Sequence, residues 1–214
     1  MLYWLHMDTV TTVKPVAEIE IVGGHPAMDF INTVHTRYPE WKGDYLRSFD
    51  DLVEWHVRVG LIPVATGRLL QAFAKKHPGK AQEALEFSAE TRELLYRIFS
   101  NVIHNKRQQK ADLDQLNRAL AELRCCQQLA SDGTGIKLHW QIDTDRPRTL
   151  LGPVVESAVE LLTSDRLDRV KECPPPDGCA WLFLDTSRNG SRCWCSMKTC
   201  GNLAKVRRHR KKNG

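Results

Sequence analysis

Cysteine is concentrated in one short part of this chain, and its spacing there indicates metal binding. Of the seven cysteines in 214 residues, five lie between positions 173 and 200. Two close pairs, Cys173 with Cys179 and Cys195 with Cys200, are separated by fifteen residues. Structural zinc sites use this arrangement, because each short turn brings two thiolates to one side of the ion. We therefore predict one structural zinc per chain, with no coordination position left for a substrate.

Two other residues compete with this assignment of ligands. Cys193 lies two positions before Cys195, so in a strand both thiols would lie on the same face. His209 follows Cys200 by more than two helical turns and is the weaker rival. We prefer Cys195, because the segment from Cys195 to Cys200 leads directly into a predicted helix. The alternative for the whole cluster is a group of buried free thiols.

The residues around the cysteines predict a small unit with its own local structure. Residues 180–185 and 193–195 have the composition of two strands, and Asn189-Gly190 between them is a strong signal for a hairpin turn. Residues 166–172 are highly charged, so we interpret them as a hinge that leads into this unit.

The C-terminal end of the chain carries a concentrated positive charge. From Arg188 onward there are nine Lys and Arg residues and no acidic residue; the whole chain has a formal net charge of +5, so the remainder carries −4. An acidic body with a basic end is expected of a protein that binds a polyanion, although a frayed, solvated terminus has the same composition. We predict a helix after Cys200 with Leu203 and Val206 on its inner face. The candidate nucleic-acid contacts are Arg188, Asn189, Arg192, Lys205, Arg207, Arg208, Arg210 and Lys211.

The chain before the cysteine cluster has mainly helical patterns. Residues 18–22 and 136–142 alternate polar and apolar side chains, which predicts two strands that pair in a small sheet. Ser48 and Asp51 resemble a capping box at the start of a helix that ends at Gly60. Apolar residues at helical spacing predict further helices at 26–35, 63–76, 80–106, 112–130 and 149–164. Cys125 and Cys126 fall on the fourth of these, and we interpret them as packing residues.

These elements predict an α+β fold in two domains. A loose N-terminal segment, residues 1–17, precedes a mainly helical domain with a small antiparallel sheet at residues 18–165. Residues 166–214 then form a zinc-bound β-hairpin followed by a basic helix.

The segment from Cys179 to Lys205 resembles the CGNR zinc-finger family, whose bacterial members are regarded as stress-induced transcriptional regulators. The resemblance implies that Cys173, Cys179, Cys195 and Cys200 are the zinc ligands, in agreement with the spacing. Two positions depart from the family pattern: Leu203 replaces the arginine of the name-giving motif, and Cys193 stands where arginine is usual. Each departure removes a positive charge from the expected contact surface, which affects DNA affinity or sequence preference rather than the metal site.

The stretch Gly23-Gly-His-Pro-Ala-Met-Asp-Phe-Ile-Asn-Thr-Val34, with Leu52-Val-Glu-Trp55 and Gly60-Leu-Ile62, resembles the ABATE domain that precedes this finger in the same proteins. The resemblance implies an α+β domain that acts as a sensor. Asp29, Asn32 and Thr33 are its polar residues here. They are candidate ligand-binding residues, or else they satisfy backbone groups around the glycine turn, which is the interpretation we prefer.

Together these features predict a transcriptional regulator that binds double-stranded DNA through its zinc finger. Its partners would include a small-molecule effector at the N-terminal domain and a second copy of the chain, since reading paired half-sites requires a dimer. An RNA-binding or protein-interaction module on the same zinc scaffold is the alternative.

Other classes of protein are not expected. The chain has no phosphate-loop, nucleophile-elbow or HExxH motif, so we do not predict an enzyme. It has no apolar run long enough to span a bilayer and no signal-peptide pattern at its start. We therefore predict a cytoplasmic protein without membrane association.

Overall fold

The computed structural model describes residues 14–40, 42–131 and 133–213, so most of the predicted loose segment lies outside the described residues. Within them the chain forms seven α-helices and four short strands, joined by short 3-10 turns. In chain order these elements are α1 (Pro26–Ile31), α2 (Phe49–Arg58), α3 (Val64–Lys76), α4 (Pro78–Ile103), α5 (Lys110–Arg124), β1 (Gln127–Ser131), β2 (Ile136–Trp140), α6 (Gly152–Leu162), β3 (Val170–Glu172), β4 (Leu182–Leu184) and α7 (Asn202–Asn213). The predicted fold class is confirmed.

The start and end of α2 follow the sequence signals. Ser48 Oγ accepts a hydrogen bond from the backbone N–H of Asp51 at 3.1 Å, and the Asp51 carboxylate accepts one from the backbone N–H of Arg47 at 3.1 Å. These bonds satisfy N–H groups that have no partner inside the helix. Gly60, with φ of +74°, adopts the left-handed conformation that ends α2.

Helices α1 to α6 form what we call the helical body. Helix α4 is the longest element and lies at its centre, in contact with α1, α2, α3 and α5. Its proline at the first position has no N–H to leave unpaired, which suits a helix start. Leu94, Leu95, Ile98 and Phe99 are buried, as their helical spacing predicts.

The predicted sheet between residues 18–22 and 136–142 is wrong. Residues Val16–Glu18 form a 3-10 turn, and the residues after them are loop. The second predicted strand does form, as β2, but it pairs antiparallel with β1, and Leu129 lies opposite Leu138. The helix predicted at 112–130 ends at Arg124, because residues 127–131 form β1 instead. The connection from β1 to β2 is short, so these residues can form a ladder of hydrogen bonds with β2, and their helical pattern is weak.

The hairpin near the cysteines also uses other strands than expected. β4 pairs antiparallel with β3, with Lys171 opposite Phe183, so the residues interpreted as part of a hinge form a strand. Residues 193–195 are loop, and Ser187–Gly190 is a turn without a strand after it. Burial decides this pairing, because all three residues of β4 are buried and lie against the helical body.

One hydrophobic core contains residues from both the helical body and the hairpin. Phe30 of α1 packs against Trp55 of α2, with 5.5 Å between ring centroids, and Phe183 of β4 is fully buried in the same cluster. The hairpin that positions the cysteines is thus anchored to the body through its apolar residues. Among the described helices, none is both long enough and apolar enough to cross a membrane.

Candidate metal centre and basic helix

The four predicted ligands converge at one point. The sulfur atoms of Cys173, Cys179, Cys195 and Cys200 all lie within 4.8 Å of one another. The Sγ–Sγ distance is 3.5 Å between Cys179 and Cys195 and 3.7 Å between Cys195 and Cys200. In a tetrahedral site with zinc–sulfur bonds of about 2.3 Å, neighbouring sulfurs are about 3.8 Å apart. The cluster therefore fits a structural metal site of the zinc type.

The β3–β4 hairpin positions the first two sulfurs. Cys173 follows β3 directly, and its backbone N–H donates to the carbonyl of Trp181 at 2.8 Å, which holds the two ends of the loop together. Gly178 closes the loop with a hydrogen bond of 2.7 Å to the carbonyl of Pro174. A Cβ atom at position 178 would lie 2.6 Å from Cys173 Sγ, so only glycine leaves room for this sulfur.

A π turn, Met197–Gly201, positions the other two sulfurs. Its first residues follow Cys195, and the backbone N–H of Gly201 donates to the carbonyl of Ser196 at 3.0 Å. Cys200 lies in the turn itself, immediately before α7. The first residues of α7 are thus fixed to the metal site through a side chain of the cluster.

The thiols of the cluster are shielded from solvent, which affects their protonation. Cys173, Cys195 and Cys200 are buried and Cys179 is half-buried. The surrounding sulfurs of Cys173, Cys179 and Cys200 raise the pKa of the Cys195 thiol, and burial raises it further. Metal binding uses the deprotonated form, and a divalent ion at this point would supply the positive charge that stabilises several thiolates together.

The two alternative ligands lie outside the cluster. Cys193 is exposed, and its thiol donates to the carbonyl of Ser191 at 3.4 Å. His209 is exposed on α7, more than two turns after Cys200. Because residues 193–195 do not form a strand, Cys193 and Cys195 are not held on a common face.

Asp185 organises the loop that leads to Cys195, a role that the sequence analysis missed. Its buried carboxylate accepts hydrogen bonds from Ser187 Oγ at 2.6 Å and from the backbone N–H of Arg192 at 2.9 Å, and pairs with Lys171 Nζ at 2.7 Å. Burial alone would raise the pKa of Asp185, but Lys171 and Ser187 lower it below its ordinary value. The sequence signal for this role is an aspartate, Asp185, two residues before a serine at the start of a turn, because such aspartates often hydrogen-bond to the backbone of the turn.

Arg192 differs from the other candidate nucleic-acid contacts. Its guanidinium donates to the carbonyls of Trp194, Val22 and Cys195 and lies 4.4 Å above the ring centroid of Phe183. These contacts connect the loop before Cys195 to the helical body. Arg188 and Asn189, by contrast, are exposed at the turn.

Helix α7 contacts the metal site with one stripe of residues. Cys200 and Ala204 are buried, and Arg207, one turn further, donates to the carbonyl of Pro176 at 3.1 Å and lies 3.6 Å from Asp177 Oδ1. The prediction of an inner face at Leu203 and Val206 is wrong, since these side chains are 53% and 48% exposed. The helix is attached to the metal site through Cys200 and Ala204, so Leu203 and Val206 are not part of its contact face.

Four of the other cations of α7 face solvent. Lys205 and Arg208, three residues apart, share one flank of the helix, while Arg210 lies on the opposite flank with Leu203 and Val206. Lys205, Arg208, Arg210 and Lys211 are all exposed.

The candidate ligand-binding residues of the N-terminal part are buried and hydrogen-bonded. Asn32 acts as a short strand edge for β4: its Nδ2 donates to the carbonyl of Leu182 at 2.7 Å, and its Oδ1 accepts from the Leu182 N–H at 3.0 Å. Asp29 Oδ1 accepts from the N–H of Gly23 at 2.7 Å. Thr33 Oγ1 donates to the carbonyl of Phe30 at 2.8 Å. These bonds support the interpretation that the residues satisfy backbone groups.

Comparison with protein families agrees with this geometry. Residues 24–165 match ABATE, described as a "putative stress-induced transcription regulator", and residues 169–213 match the CGNR zinc finger. No curated protein matches the chain. Both matches confirm the resemblances seen in the sequence. The chain therefore belongs to the ABATE family and carries a CGNR zinc finger at its C-terminal end.

Proposed function

We propose that this protein is a cytoplasmic transcription regulator that binds double-stranded DNA through a zinc-stabilised C-terminal helix. The observation that carries the proposal is the attachment of α7 to a four-cysteine cluster through Cys200, with Lys205, Arg208, Arg210 and Lys211 of the helix exposed to solvent. The family description supports regulation, and the basic surface supports a nucleic-acid target.

The zinc ion has a structural role in this proposal. Four thiolates complete a tetrahedron and leave no position for water or substrate, so we do not propose an enzyme. The metal would supply the positive charge and cross-links that hold the loops at Cys173–Cys179 and Cys195–Cys200 together. This segment could not otherwise fix α7, which buries Ala204 but leaves Leu203 and Val206 exposed.

The dimensions and charges of α7 suit duplex DNA. Twelve residues of helix are about 18 Å long, and the major groove is about 12 Å wide, so the helix can enter it. Lys205, Arg208, Arg210 and Lys211 on α7, with Arg188 and Asn189 at the turn, are the proposed contacts. We assign Arg192 and Arg207 to the support of the site, since their guanidinium groups hydrogen-bond to backbone carbonyls.

Duplex DNA is favoured over single-stranded nucleic acid by the positions of two tryptophans. Binding of single strands relies on exposed aromatic rings that stack on bases. Trp181 is 7% exposed, and its indole N–H donates to the carbonyl of Val34 at 2.9 Å. Trp194 is half-buried, with a ring atom 3.3 Å from where a Gly201 Cβ would lie. Neither side chain offers an open stacking platform.

The helical body would pass a signal to this helix through its contacts with β4. The hydrogen bonds of Asn32 to Leu182 and of Arg192 to Val22 connect body and finger directly. An effector and a homodimer remain part of the proposal, but we do not place an effector at Asp29, Asn32 or Thr33, whose polar groups are engaged in the fold.

The test is a salt titration of DNA affinity. Zinc-loaded full-length protein is titrated into a pool of random-sequence duplexes by fluorescence anisotropy at several salt concentrations. We expect the logarithm of affinity to fall linearly with the logarithm of salt concentration. A variant with Lys205, Arg208 and Arg210 changed to Gln should bind more weakly and should lower that slope by about 0.9 for each phosphate that the protein no longer neutralises.

A matched variant controls for net charge. Lys75, Lys76 and Lys106 are exposed on the helical body, and changing these three to Gln removes the same charge far from α7 in the sequence. This variant should keep the parent slope. Equal losses of affinity in both variants, no binding at low salt, or tighter binding to single-stranded or structured RNA would contradict the proposal.

A further inference from the structure

A second pair of thiols lies in the helical body, at the C-terminal end of α5. The sulfur atoms of Cys125 and Cys126 are 3.8 Å apart. Cys125 is exposed, whereas Cys126 is buried, so only Cys126 behaves as the packing residue that the sequence predicted. The pair is not part of the metal cluster, which leaves its chemistry to be explained.

A guanidinium group faces the exposed sulfur. Nη1 and Nη2 of Arg146 each lie 3.9 Å from Cys125 Sγ. The loop that carries Arg146 is well defined by hydrogen bonds: its N–H donates to the carbonyl of Asp143 at 3.1 Å, and its carbonyl accepts from Thr149 Oγ1 at 2.8 Å. The contact with the sulfur is therefore a feature of the folded loop. Reactive cysteines occur at partly exposed positions beside a cation, as Cys125 does here.

Cys125 and Cys126 both line one cavity of about 350 Å³, together with Asp143, Thr144 and Arg146. A molecule as small as a hydroperoxide can enter a space of this size. The two sulfurs differ in environment, since burial raises the pKa of the Cys126 thiol and the neighbouring Cys125 raises it further. An accessible sulfur beside a buried second thiol is the arrangement of redox-sensing cysteines with a resolving partner.

We propose that Cys125 and Cys126 form a peroxide-reactive site in which Cys125 is oxidised and Cys126 resolves the product. The Cys125 thiolate attacks one oxygen of a hydroperoxide; an S–O bond forms, the O–O bond breaks, and the leaving oxygen takes up a proton as water or alcohol. The Cys126 sulfur then attacks Cys125 sulfenic acid. An S–S bond forms, the S–O bond breaks, and hydroxide leaves with the Cys126 proton as water. Two thiols lose two electrons, and the peroxide gains them.

The product would be readily reversible. Adjacent Cα atoms are about 3.8 Å apart, closer than the Cα atoms of most disulfides. Strained and exposed disulfides are the labile ones, which is the property a signalling site needs. The proposal concerns the chemistry of this pair and does not depend on the proposed DNA binding.

The test measures which cysteines a peroxide oxidises first. Zinc-loaded full-length protein is treated with one equivalent of hydrogen peroxide, its free thiols are alkylated, and tryptic peptides are weighed. Cleavage after Arg124 and Lys137 yields a peptide that begins with the pair. We expect this peptide to lose two hydrogen masses and to escape alkylation, while Cys193, which is also exposed, stays reduced and zinc stays bound.

Three variants separate the roles. Cys126→Ser should accumulate Cys125 sulfenic acid, detected with dimedone, and Arg146→Gln should slow oxidation of Cys125 about fivefold. Arg118→Gln removes a cation elsewhere on α5 and should leave the rate unchanged. Oxidation of Cys125 no faster than Cys193, release of zinc before oxidation of the pair, or sulfinic acid at Cys125 in place of the disulfide would overturn the proposal.

Discussion

At the scale of single residues, the polar groups around the Gly23-Gly24 turn stabilise the fold by hydrogen-bonding to its backbone. Asp29 is 8% exposed and accepts a hydrogen bond from the Gly23 N–H. Burial raises the pKa of Asp29 to about 6, against the partial compensation of that hydrogen bond and of Arg192. A Cβ at Gly23 would lie 2.7 Å from the Asp29 backbone nitrogen, so the close turn brings the carboxylate to this position.

The raised pKa of Asp29 predicts a dependence of stability on pH. The folded state holds the Asp29 proton up to about pH 6, whereas the ordinary value is 3.8, so this residue's contribution to stability is lost as pH rises from about 4 through 6. Asp29→Asn removes this loss and keeps an oxygen that can accept from Gly23. We expect the variant to be more stable than the parent above pH 6 by up to about 2–3 kcal/mol, with the difference shrinking toward pH 5.

The measurement is urea unfolding of both zinc-loaded proteins from pH 5 to 8. Taking the difference between the two proteins cancels the pH dependence that zinc binding adds to each of them. Parallel pH profiles, or an advantage of the variant that grows as the pH falls, would show that Asp29 does not titrate in this way.

At the scale of elements, the metal site depends on two short turns that differ in kind. The loop between β3 and β4 presents Cys173 and Cys179, and the π turn before α7 presents Cys200. Both contain a glycine at a close contact: a Cβ at Gly178 would meet Cys173 Sγ at 2.6 Å, and one at Gly201 would meet Met197 Sδ at 2.7 Å. The ligand geometry is thus set by space as much as by hydrogen bonds.

Gly178→Ala is predicted to weaken the metal site. The added methyl group overlaps the Cys173 sulfur, so the loop must shift away from the tetrahedral position, at a cost of about 1–3 kcal/mol. Chelator competition should show lower zinc affinity, and thermal unfolding of the zinc-loaded protein should start at a lower temperature.

Gly79→Ala is the matched control for this change. Gly79 lies in the first turn of α4, and no atom lies within 4 Å of the Cβ that alanine would add. Alanine there should leave zinc affinity unchanged and stabilise the helix by about 0.5–1 kcal/mol. Equal zinc affinity in the two variants would contradict the role assigned to Gly178.

At the scale of the whole molecule, the helical body and the zinc finger are joined by a shared hydrophobic core and by side chains that hydrogen-bond to backbone groups of β4. Phe183 is buried among the helices, and Asn32 forms both hydrogen bonds that a neighbouring strand would give to Leu182. Trp181 adds a bond from its indole N–H to Val34. A change in the body therefore has a direct physical route to β4 and the ligands beside it.

Asn32→Ala is predicted to uncouple this junction. It leaves both the N–H and the carbonyl of Leu182 without their partner in a buried place, which we expect to cost about 2–4 kcal/mol of stability. Urea unfolding measures the loss, and hydrogen–deuterium exchange of the peptide that contains Leu182 should become faster. Asn117→Ala on the exposed side of α5 should change neither quantity by much; similar losses of stability in both variants would contradict the role of Asn32.

The sequence by itself determined the metal cluster, most helices and the separation of charge. Cysteine spacing, capping at Ser48 and apolar periodicity in α4 are local signals, and each acts over a few residues. Only the tertiary structure decided which strands pair, which arginines hydrogen-bond to the backbone, and that Cys125 is exposed. β4 pairs with β3 because its apolar residues are buried against α1, and Arg192 turns inward because carbonyls from distant segments meet there. Such choices depend on contacts between residues far apart in the chain, which local patterns do not encode.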